Sequence, residues 1–130
     1  MTIYCFSATG NSMKVALNIA KANEPAEIIL IKSNFNALIP SDSNKVGFVF
    51  PVYVGILPQI VKKFLQDFRP NPETLYFAVT TYYTFRGVAL SIVDAMLRAK
   101  GSELSYGNSI ATVGNSRMHY ELAIANHPPN

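Results

Sequence analysis

The stretch "FSATGNSMK", residues 6–14, gathers small hydrogen-bonding side chains around one glycine, directly after the apolar run "IYCF". Ser7, Thr9, Asn11 and Ser12 flank Gly10 where the hydropathy pattern changes from strand-like to helical. The chemistry open to such a cluster is anion binding. Free N–H groups converge at a helix N-terminus, and the macrodipole favours negative charge there. A glycine lets the backbone fold closely around an oxyanion. The plainer alternative is an N-cap by Thr9 or Asn11, which takes one such residue. Five polar or glycine positions among the six at 7–12 exceed that need.

Other signatures fail on their residue requirements. A Walker loop needs a second glycine and a Gly-Lys-Ser/Thr ending, and the dinucleotide fingerprint needs three spaced glycines. Only Gly10 is present. A thiol phosphatase built on Cys5 would need an arginine six residues on, where Asn11 stands. Cys5 also falls inside the predicted strand, where it reads as a small buried hydrophobe. A phosphoacceptor receiver domain needs an Asp at the end of a central strand, and none of the candidate loops begins with one.

The elements that must position the cluster follow from periodicity. "TIYCFS" reads as a strand, and Met13, Ala16, Leu17 and Ala20 recur at i, i+3, i+4, i+7, which predicts an amphipathic helix with that face inward. "AEIILIK" is a second strand, "SNFNALIPSDSN" a turn-rich connection with a short helical piece, and "KVGFVF" a third strand closed by Pro51. In "LPQIVKKFLQDF", Ile60, Val61, Phe64, Leu65 and Phe68 share one helical face behind Pro58 at a permitted helix start. "TLYFAVTT" is strand four, "VALSIVDAMLRAK" a helix stopped by Gly101, and "ELSYGNSI" strand five. Residues 111–130 read as a loop, a short helix at 118–126 and a Pro-rich end. Near-continuous apolar strands alternating with helices predict one α/β domain over 1–130, a parallel sheet covered on both faces. Ligands of such sheets bind beyond the carboxyl ends of the strands, which singles out loops 7–12, 51–57 and 80–87.

Composition narrows the function classes. Of 130 residues 49% are hydrophobic and only 15% charged, enough for a packed core and unlike a disordered tail or coiled coil. A single cysteine excludes an internal disulfide framework and predicts a reduced, cytoplasmic setting. No signal peptide and no membrane-spanning run are expected. The net charge of +3 is dispersed, with Lys62–Lys63 the only adjacent basic pair, so no nucleic acid partner is expected. His119 and His127 have no candidate ligand partners, and no metal is assigned.

"YCFSATGNSMKVA" resembles the phosphate-binding segment of flavodoxins, with its Ser/Thr-x-Thr-Gly-x-Ser/Thr pattern, and "FPVYVGILPQIVKKFL" resembles their second flavin-binding loop and following helix. With the later "LSYGNSI", the set is most similar to flavodoxin-like domains fused to a ferredoxin domain in some anaerobes. The resemblance runs to about Ile110. It implies a flavodoxin-like three-layer sandwich whose five-stranded parallel sheet has the order 2-1-3-4-5, binding FMN non-covalently. Ser7, Thr9, Gly10, Asn11 and Ser12 would hold the FMN phosphate. Pro51, Tyr53 and Gly55 would border the flavin ring, and the loop carrying Thr80, Tyr82, Tyr83 and Gly87 would close its other side. The partner implied is a redox protein, or a fused ferredoxin domain absent from this chain. Two departures stand out: the bulky "TTYYTFRG" loop, able to stack on the ring or to block it, and the "HPPN" end, where relatives continue into a final helix that here is short or truncated.

Individual residues keep two readings. Tyr53 either stacks on a flat heterocycle or closes the sheet edge. Gly55 either permits a peptide rotation beside the flavin or is a positive-φ turn. Of Tyr82 and Tyr83, one faces ligand and the other solvent. Gly10→Val is expected to abolish FMN binding, because a β-branched side chain would obstruct the tight turn. No Asp or Glu occurs in 46–66 or 75–93, and Arg86 stands in the third loop, so a bound flavin should be easier to reduce fully than in an acid-lined site. The loops hold no Asp, Glu or His, so no catalytic residue is assigned, and an electron carrier is favoured over an independent enzyme. The rivals are an NAD(P)H-dependent flavin or quinone reductase on the same fold and a flavin-free binding domain.

Overall fold

The computed structural model describes residues 1–7, 10–32, 44–52, 56–83 and 87–112. Five strands, β1 (Thr2–Cys5), β2 (Glu27–Leu30), β3 (Lys45–Pro51), β4 (Leu75–Tyr82) and β5 (Leu104–Ala111), form one sheet in the order β2-β1-β3-β4-β5. Every pairing is parallel. The chain runs outward from β1 to β2, then returns to the other side of β1 with β3. That reversal puts the topological switch point between β1 and β3.

Helices cover both faces, giving the three-layer flavodoxin-like sandwich. Side chains alternate along each strand, so Ile3, Cys5, Val49, Phe77 and Val79 meet α1 (Asn11–Ala22), while Tyr4, Phe48, Phe50 and Ala78 meet α2 (Gln59–Asp67) and α3 (Ala89–Arg98). On the second face Tyr4, Phe48, Phe64, Phe68 and Tyr76 interlock, with ring centroids 5.1 Å (Tyr4–Phe64) to 6.3 Å (Phe48–Phe64) apart. The carboxyl end of α2 is capped from α3's side, where Lys100 Nζ donates to the carbonyls of Leu65, Gln66 and Phe68 at 2.7, 2.8 and 2.6 Å.

One expected face is rotated. α1 buries Ser12, Val15, Ala16 and Ile19, whereas Leu17 is 54% exposed. Both sets have helical spacing; the one that wins carries β-branched Val15 and Ile19 onto the sheet and brings Ser12 to the end of β4. Met13 and Ala20 pack only at its margin. The inward face of α2 is as expected, and Pro58 precedes its first helical residue. The expected helix at 118–126 and the turn-rich stretch 33–43 lie outside the described residues.

Candidate functional site

Three βα connections leave the carboxyl edge of the sheet, and the N-termini of α1, α2 and α3 all begin there. None of these helices carries an acid in its first turn. The positive ends of three macrodipoles therefore converge without an internal counter-charge. The described carboxylates lie elsewhere: Glu24, Glu27, Asp67, Glu73 and Glu103 sit in or beside the αβ turns at the amino edge, and Asp94 lies within α3.

The loops are shorter than expected from sequence, because regular structure extends into them. α1 starts at Asn11, which puts Asn11 and Ser12 in its first turn. β4 runs through Tyr82, which puts Thr80 and Tyr82 in the sheet. Pro51 is the last residue of β3, opposite Thr81, and Val52 N–H extends the ladder by donating to Thr81 O at 2.8 Å.

The first turn of α1 shows how the leading cluster is used. Gly10, the N-cap, has φ +94°, a conformation that favours glycine. Its geometry lets Ser7 Oγ accept both the Gly10 N–H at 3.0 Å and the Met13 N–H at 3.3 Å. A serine oxygen has two acceptor sites and one hydrogen. With both acceptor sites engaged, Ser7 has only its hydrogen to offer a ligand. Among the described residues nothing accepts from the N–H of Asn11 or Ser12. This cradle presents donors, and its chemical complement is an anion.

Below the cradle lies a polar seam in an otherwise apolar core. Among the described residues five polar side chains are buried, and four of them (Ser12, Thr80, Thr81 and Thr112) stand at the carboxyl edge. Ser12 Oγ and Thr81 Oγ1 are 3.1 Å apart. Thr80 Oγ1 donates to Ser109 Oγ at 2.9 Å, and Thr112 Oγ1 to Tyr82 O at 3.3 Å. Thr80 is thus wholly buried and hydrogen-bonded inside the sheet. Sequence reasoning passed over Thr81, Ser109 and Thr112. The readable signal was "VTTY", where two hydroxyls interrupt an apolar strand at its functional end.

The structure brings Ser7, Gly10, Asn11 and Ser12 to the head of α1, and joins them through Thr81 to Pro51 and Tyr82 at the ends of β3 and β4. Tyr82 is half-buried and Tyr83 is 67% exposed. Gly87, at φ +63°, begins the approach to α3. Thr9, Tyr53, Gly55 and Arg86 lie outside the described residues. Cys5 is fully buried, and burial pushes its thiol up to about 12, which fits a packing role. Among the described residues there is no group of three or more metal-ligating side chains, and no helix is long and apolar enough to cross a membrane.

No protein-family model and no curated protein matches the chain, but solved structures match it in fold. Megasphaera elsdenii flavodoxin, in its two-electron reduced form, is 17% identical, with 96% of this chain and 97% of that one covered at a TM-score of 0.74. Rubredoxin oxygen:oxidoreductase from Desulfovibrio gigas is 16% identical at a TM-score of 0.76, with 95% of this chain matching 32% of that one. A Lactobacillus acidophilus flavoprotein in complex with FMN is 14% identical at a TM-score of 0.64, covering 83% and 91% of the two chains. At these identities the likeness is one of fold.

Proposed function

We propose that this chain is an FMN-binding electron-transfer protein, with the phosphate held by loop 7–12 and the flavin ring between loops 51–57 and 80–87. The observation that carries the reading is the donor-only cradle at the head of α1, where Ser7 has both acceptor sites occupied beside Gly10. It stands next to the switch point between β1 and β3, where ligands of open parallel sheets bind. Solved structures of the same fold include proteins named as flavodoxins and one in complex with FMN, which supports the choice of anion.

The residues divide the work. Ser7 donates its hydroxyl hydrogen to a phosphate oxygen, and the N–H groups of Asn11 and Ser12 add two donors backed by the α1 dipole. Gly10 allows the close approach, and Thr9, by the resemblance, also holds the phosphate. Pro51, Tyr53 and Gly55 border one side of the ring. Tyr82 and Gly87 border the other, in continuity with the Thr80–Thr81 end of β4, and the exposed Tyr83 is the one of the pair that faces solvent. The flavin, when bound, supplies the capacity to accept and release electrons; the protein supplies binding, exclusion of water and electrostatics. Arg86 adds a positive charge that favours the reduced, anionic ring. Electrons come from and go to a redox partner protein or a fused ferredoxin domain outside this chain, in a cytoplasmic setting.

The visible spectrum of the purified protein tests the function. The expected preparation is yellow, and releases FMN on denaturation. A colourless protein that stays colourless after incubation with excess FMN and gel filtration contradicts it.

A further inference from the structure

Building on the phosphate-loop reading above, we infer that Thr81 is a positioning residue for the anion cradle: through Ser12 it fixes the first turn of α1 to the end of the central strand β4. The two hydroxyl oxygens are 3.1 Å apart across 69 residues of sequence, and the residues are only 2% and 3% exposed. A hydroxyl buried to that degree needs a partner, and losing it leaves the other group unsatisfied. Ser12 is the second helical residue after the Gly10 cap. Holding its side chain therefore sets the direction of its own N–H and of the Asn11 N–H, the two cradle donors without an acceptor among the described residues.

Thr81 is itself held rigidly. It lies between Pro51 of β3 and Ile110 of β5, and its carbonyl accepts the Val52 N–H. The sheet, rather than the loop, thus determines where the helix begins. Packing alone gives no reason for threonine here. The same face of β4 carries Val79 two residues earlier, fully buried, and valine has nearly the same shape. What threonine adds is the hydroxyl that reaches Ser12. Donors held to within a few tenths of an ångström bind more tightly than donors that must be ordered on binding.

The test is a fluorescence titration of the apo-protein with FMN and with riboflavin, which lacks the phosphate. The FMN-to-riboflavin affinity ratio should fall about three- to tenfold in Thr81→Val, the range of one lost hydrogen bond. It should be retained in Thr81→Ser, and Thr81→Val should add nothing further in a Ser12→Ala background. Should valine prevent folding, Thr81→Cys, with a weak donor of similar size, is expected to lower the ratio in the same direction. An unchanged ratio in folded Thr81→Val or Thr81→Cys, equal losses for both ligands in either, or additive losses in the double variant would each overturn the role. A wild type that binds FMN no better than riboflavin overturns the phosphate reading, and the role of Thr81 with it.

Discussion

Among the described residues beyond its chain neighbours, none has an atom within 4 Å of where a Gly10 side chain would begin, and the backbone there has φ +94°. Crowding by the other described residues therefore adds nothing to the obstruction expected for Gly10→Val. The backbone contributes on its own, because an L side chain in the left-handed region costs about 1–2 kcal/mol. Gly10→Ala suffices to reveal it. If the turn relaxes to a negative φ, the Gly10 and Met13 amides leave Ser7, and the donor-only state of that hydroxyl is lost. The expected outcome is a folded protein with FMN affinity lowered at least tenfold and riboflavin affinity little altered, read by titration alongside thermal unfolding. Unaltered FMN affinity would mean that the positive φ of Gly10 plays no part in binding.

Among the elements, β3 and β4 bring Gly47 opposite Phe77 in register. A Cβ at Gly47 would overlap the Phe77 ring, so the bare backbone is the surface on which that ring lies. Gly47→Ala should destabilise by about 1–3 kcal/mol through overpacking, and Phe77→Leu in the same chain should recover part of the loss. Denaturant unfolding of the single and double variants measures both.

The α3–β5 connection depends on a carboxylate instead. Asp94 Oδ1 accepts the Leu104 N–H at 2.9 Å and Oδ2 the Arg98 Nε–H at 2.8 Å. Burial alone would raise this carboxyl, but the Arg98 and Leu104 hydrogen bonds and the Arg98 charge hold it below its ordinary 3.8. A lowered carboxyl pKa contributes stability that is full above the unfolded value and fades as pH falls through the folded one. The stability gap between wild type and Asp94→Ala should therefore be constant above about pH 5 and shrink below about pH 4. A gap that widens on acidification would contradict the assignment.

These elements also show what sequence can and cannot convey. The parallel α/β class and the inward face of α2 were legible, because continuous apolar strands and a strong 3.6-residue period leave few alternatives, while the strand order followed from the flavodoxin resemblance. The face of α1 was misphased. Two apolar sets compete there, and a contact that goes with the observed phase, Ser12 to Thr81, joins residues 69 apart that no local period connects. The same holds at the site: the cluster at 7–12 stood out by composition and Thr81 left only the faint signal of "VTTY", whereas Ser109 becomes visible only when parallel pairing sets β4 and β5 side by side.

Among the described residues, the helix N-termini and most of the carboxylates lie at opposite ends of the strands. One edge of the sheet gathers three helix N-termini, the buried hydroxyl seam and the donor cradle, while most of the described carboxylates lie at the other. Such an arrangement favours an anion at the carboxyl edge before any single contact is counted. FMN and riboflavin carry the same ring and differ in the phosphate, so comparing them isolates that edge's contribution. The decisive measurement is parallel titration of the wild-type apo-protein with the two ligands. Two or three charge-assisted hydrogen bonds at about 1.5–3 kcal/mol each predict FMN binding tighter by a factor of at least a hundred. Equal affinities for FMN and riboflavin would contradict the account.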